Sequence, residues 1–84
     1  MSRHKRIAAK IQSHPVPSDI KWTELVSFLE HLGYRQLKGS GSRRKFYHQG
    51  KDALFSCHQP HPSPCVDKGC VADIVEHLTL NDLL

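Results

Sequence analysis

The sequence has no apolar run approaching the roughly 20 residues that a membrane-spanning helix needs. With 38% hydrophobic residues, it reads as a globular chain without membrane contact. Nor does it open on the apolar stretch and small-residue cleavage site of a secretory leader, so the protein is expected in the cytoplasm. Cysteine is sparse: Cys57, Cys65 and Cys70. An odd number of cysteines without an export signal argues against a disulfide scaffold. There is also no Cys-x2-Cys pair, and the adjacent Cys57 and His58 would point to opposite faces of a strand. Cys57, His58, His61, Cys65 and Cys70 are therefore a poor zinc set, and neither a metal nor a cofactor is expected. At 84 residues, one small core near the lower limit for independent folding is all the chain can build.

Acidic residues are missing from two stretches. Between Arg35 and Lys51 stand Arg35, Lys38, Arg43, Arg44, Lys45 and Lys51, with no acid among them. The first fourteen residues hold Arg3, Lys5, Arg6 and Lys10, again without an acid. The acids gather late, with Asp67, Asp73, Glu76 and Asp82 in the last nineteen residues against Lys68 alone. A formal net charge of +4 distributed this unevenly points to a polyanionic partner such as nucleic acid. The competing reading is an ordinary solvated charge run.

Hydrophobic spacing then marks out the elements. Ile7, Ala8 and Ile11 predict a short helix over residues 4–13, stopped by Pro15. Residues 16–20 read as a linker. Trp22, Leu25, Val26, Leu29 and Leu32 fall on one face of a helix over residues 22–32, and Gly33 stands where a helix-closing glycine belongs. Three extended segments follow, at residues 34–38, 43–49 and 53–58. The Gly39-Ser40-Gly41-Ser42 and Gly50-Lys51-Asp52 turns separate them, which predicts an antiparallel meander. Residues 59–64 form a proline-rich loop. Asp67 is the expected N-cap of a last helix over residues 67–78, with Val71, Ile74, Val75 and Leu78 as its apolar stripe. The order is α-β-β-β-α with an extra N-terminal helix, an α+β fold in which the helices cover one sheet face.

Alternation along the second strand sends Arg43, Lys45 and Tyr47 one way and Arg44, Phe46 and His48 the other. If Phe46 faces the helices, two cations and an aromatic lie on the open face, suited to phosphate contacts and base stacking. Lys38, Arg44 and Lys51 complete the expected RNA-binding set. The third strand ends in His58, and His61 follows in the proline loop. Cleavage of RNA through its 2′-hydroxyl needs a base, an acid and a cation. His58, His61 and either Arg43 or Lys45 supply those types if they converge. His58 faces the cations if Phe55 is the buried residue of its strand, and the helices if Leu54 is. Against this stands the plain reading of loop histidines that do no chemistry.

A leucine-rich helix ends in Leu32-Gly33-Tyr34. A strand and a turn lead into Gly41-Ser42-Arg43-Arg44-Lys45-Phe46, and Cys57-His58-Gln59-Pro60-His61-Pro62 precedes the closing helix. Taken in this order, the segments resemble the HicA toxin family. The resemblance spans residues 20–78, with residues 1–19 as a basic helical segment and linker outside it and residues 20–84 as the domain proper. It implies a fold like a double-stranded-RNA-binding domain, ribosome-independent mRNA cleavage by an interferase, and restraint by a HicB-like antitoxin. The family pattern has its proposed catalytic histidine directly after Gly-Ser, where this chain has Arg43. An arginine stays protonated above about pH 12 and cannot act as a general base at neutral pH. It can still hold phosphate or stabilise developing charge. Either the acid–base role falls to His58, His61 or His48, or the chain is a non-catalytic module that binds RNA or protein.

Overall fold

The computed structural model describes residues 3–39, 41, 43–60 and 63–84. It contains α1 (Arg3–Ile11), α2 (Trp22–His31), β1 (Tyr34–Lys38), β2 (Arg43–His48), β3 (Ala53–His58) and α3 (Lys68–Leu80). The strands form one antiparallel sheet in the order β1-β2-β3. The fold is the α+β arrangement expected from the hydrophobic spacing.

One layer of helices covers one sheet face. Phe46 stands at the centre of that face, is fully buried, and meets the Trp22 ring at 5.9 Å between centroids. On α2 the expected residues Trp22, Leu25 and Leu29 are buried, and so is Phe28, which lies outside the predicted stripe. The reason is tertiary: α2 packs against both α1 and β1, so a wider arc than one stripe is covered. α1 contributes Ile7 and Ile11 to the core. The backbone leaves helical geometry at Ile11, two residues before the predicted end. On α3, Val71, Ile74 and Leu78 are buried as expected, and the Asp67 carboxylate caps the helix by accepting the Cys70 N–H at 3.0 Å.

The segments before α2 and before α3 do more than connect. The Val66 N–H donates to the Ile20 carbonyl at 2.7 Å, and the Trp22 N–H donates to the Pro64 carbonyl at 2.9 Å. Together they form an antiparallel bridge between Lys21 and Cys65. Ile20 and Val66 are buried beside it. The loop that follows β3 is thus pinned at its far end to the entry of α2.

Gly33 links α2 to β1 with φ of +109°, a conformation that only glycine adopts without strain. A second requirement acts at the same position. A Cβ on Gly33 would lie 2.8 Å from His48 Nε2. The missing side chain is what lets the His48 ring reach the Leu32 carbonyl at 2.9 Å.

Candidate functional site

In an antiparallel sheet, directly opposed residues point to the same face. The register therefore decides what the open face carries. Arg43 stands opposite His58, Lys45 opposite Ser56 and Tyr47 opposite Leu54. On the other side, Arg35 stands opposite Tyr47 and Leu37 opposite Lys45. Phe46 stands opposite Phe55, and both belong to the helix-facing side, where Phe55 packs on the core. Leu54 is 56% exposed. Of the two orientations the sequence leaves open for His58, the structure selects the one toward Arg43 and Lys45.

The open face thus presents Arg35, Arg43, Lys45, Tyr47 and His58, with Leu37 and Leu54 exposed among them. Tyr47 donates its hydroxyl to the Asp52 carboxylate at 2.9 Å. That hydrogen bond, more than burial or the carboxylate's charge, pushes the phenol pKa up. The phenol is fixed at the rim of the face as a neutral hydrogen-bonding aromatic.

Not every cation named from the sequence joins this surface. Lys38 and Arg44 oppose each other across β1 and β2 but share the parity of Phe46, so they lie on the other side of the sheet. The Arg44 guanidinium donates to the Gly41 and Arg43 carbonyls, both at 2.9 Å, and so braces the β1–β2 turn. Lys51 lies in the β2–β3 turn, at the end of the sheet away from Arg43 and His58, and its backbone N–H donates to His48 Nδ1 at 3.0 Å. Arg35 belongs to the basic run but not to the expected RNA-binding set, although its parity is readable in the sequence. It alternates with Tyr34, which is buried, so Arg35 must face outward.

The histidines separate into roles. His48 donates from Nε2 to the Leu32 carbonyl and accepts at Nδ1 from the Lys51 N–H. Both ring nitrogens are committed, and the ring is a structural tie between β2 and the end of α2. His77 lies behind the sheet, 2.7 Å from the Tyr34 hydroxyl through Nε2, and against the Phe55 ring. Desolvation lowers its pKa and raises that of Tyr34. His58 is exposed on the open face across from Arg43. His61 lies outside the described residues.

Beside His58 a groove of about 1000 Å³ runs between the end of β3 and the first turn of α3. Gln59, Ser63, Asp67 and Cys70 contribute to its walls. Among the described residues, no group of three or more His, Cys, Asp or Glu side chains is arranged to hold a metal ion. None of the helices is long and apolar enough to cross a membrane, among the described residues.

No curated protein and no solved structure matches the chain. A family model does, and it describes the HicA toxin of bacterial toxin–antitoxin systems, matching residues 22–80. The match runs from the start of α2 to the end of α3, through the whole sheet and the loop after His58. With most of its length, including every element that builds the open face, inside that match, the chain belongs to the HicA toxin family.

Proposed function

We propose that this HicA-family toxin is an mRNA interferase that binds RNA on the open sheet face and cleaves it by 2′-hydroxyl attack, without a metal, under the restraint of a HicB-like antitoxin. The observation that carries the reading is the Arg43–His58 register pair. The position after Gly-Ser, where the family pattern has histidine, holds an arginine here. A histidine stands directly across from it on the neighbouring strand, and opposed side chains in such a pair start about 4.5–5.5 Å apart at Cβ. An imidazole can take the 2′-proton and return one to the leaving oxygen near neutral pH. Arg43 and Lys45 then hold the phosphate and offset the charge that develops on it. Tyr47 offers a ring for a base to stack on.

Partner and substrate share one surface in this reading. An acidic antitoxin seated over Arg35, Arg43 and Lys45 would block RNA, so the two ligands compete.

The test is cleavage of RNA by the purified chain in excess chelator, with His58→Ala and His58→Gln beside it. Loss of about 10²–10⁴-fold in rate with RNA binding retained is the expected result. Full cleavage by both variants would move the acid–base role off His58. No cleavage by the unmodified chain between about pH 5 and 8, where histidine titrates, would leave a protein that binds RNA without cutting it.

A further inference from the structure

We propose that Cys57 and Cys70 form a peroxide-oxidisable dithiol whose disulfide staples the end of β3 to the first turn of α3. Cys57 shares the parity of Phe55, so its side chain points toward the helices and away from the open face. α3 packs against β3 and brings Cys70 up to meet it. The two thiols are neighbours there, each the largest influence on the other's ionisation. Both are half-buried against the core, and both line the solvent-open groove beside His58, through which a small oxidant can reach them. All three cysteines are reduced. Cys65 lines the same groove, but its backbone belongs to the bridge with Lys21, on a different segment from the paired thiols.

The closeness of the two thiols to each other lowers the Cys57 pKa and raises that of Cys70, while burial and the Asp67 carboxylate oppose ionisation of both. Cys57 opens the reaction as its thiolate, the nucleophilic form. It attacks one oxygen of hydrogen peroxide, the O–O bond breaks, and hydroxide leaves and takes up a proton as water. Cys57 is left as a sulfenic acid. The Cys70 sulfur then attacks the Cys57 sulfur, the S–O bond breaks, and the hydroxyl leaves as water with the Cys70 proton. Two thiols and one peroxide give one disulfide and two waters. The modification is independent of whether the chain cleaves RNA.

The experiment exposes the folded full chain to limiting hydrogen peroxide, quenches it in denaturant with an alkylating reagent, and maps the peptides by mass. The expected product is one intramolecular Cys57–Cys70 link, with Cys65 alkylated and the link reversed by dithiothreitol. Cys65→Ser should give the same link. Cys70→Ser should stop at a Cys57 sulfenic acid that a carbon nucleophile traps. The linked form should unfold at a higher temperature, by about 4 °C or more, because the closed loop restricts the unfolded chain. A link through Cys65, a disulfide between two chains, or full alkylation of all three cysteines would overturn the pairing. A thermal midpoint unchanged or lowered in the linked form would overturn the staple.

Discussion

The open-face assignment makes a prediction that net charge alone does not. Lys38 and Lys45 are both exposed strand lysines, and removing either changes the chain's charge equally. They stand on opposite sides of the sheet, because Lys45 has the parity of Arg43 and Lys38 opposes Arg44. For single-stranded RNA, each phosphate neutralised contributes about 0.7 to the slope of log affinity against log salt. Lys45→Ala should therefore flatten the slope by about 0.7, and Arg43→Ala with Lys45→Ala by about 1.4. Over a roughly fourfold rise in salt, the unmodified protein should lose about sevenfold more affinity than the double variant. Arg35→Ala, on the same face opposite Tyr47, should flatten it by about 0.7 as well. Lys38→Ala should leave the slope unchanged. Fluorescence anisotropy of a labelled single strand, titrated at several salt concentrations, measures each slope directly. If Lys38→Ala flattens the slope as much as Lys45→Ala, the RNA is not confined to the open face and the reasoning from register fails.

Three further expectations concern parts of the molecule around that face. His48→Ala should lower the urea midpoint, since it strips the Leu32 carbonyl and the Lys51 N–H of their partner; a cleavage rate per folded molecule that fell with it would contradict its structural role. Asp67→Ala should cost about 1 kcal/mol through loss of the α3 cap, read from thermal melts by circular dichroism, and an unchanged melt would mean the cap does not stabilise the helix. His77 is held below its usual pKa by desolvation, so the unfolded chain binds its proton more readily than the folded one. Its contribution to stability is complete above the ordinary histidine value of 6.5 and is lost as pH falls below it. Urea midpoints between about pH 7.5 and 5.5 should therefore fall more for the unmodified protein than for His77→Gln, and equal falls would show that burial of this ring carries no linkage.

The elements were legible because each carries its own local signal. The three strands begin where alternation and the glycine turns put them, and all end there but the second, whose ladder stops at His48 rather than Gln49. Apolar spacing alone placed Leu25, Leu29, Val71, Ile74 and Leu78 in the core. Phe46 as the inward residue of β2 also followed from sequence, since one face of a three-stranded sheet must be covered and Phe46 is the bulky apolar choice. That in turn sent Arg43, Lys45 and Tyr47 outward.

What local pattern could not carry was anything that depends on two segments meeting. Parity assigns a strand two faces but does not say which is buried, and β3 offers Leu54 and Phe55 to opposite sides. Only the packing of Phe55 beneath α3, in register with Phe46, turned His58 toward Arg43. Lys38 belongs to the basic run along the chain, yet its pairing with Arg44 places it behind the sheet. Composition counts charge by sequence position, whereas the fold distributes it by face. The pairing of Ile20 with Val66 and the meeting of Cys57 with Cys70 are likewise invisible in one dimension, because neither segment's own spacing requires the other. Sequence by itself determined the elements, the layer and the family; tertiary contact decided which side chains share a surface.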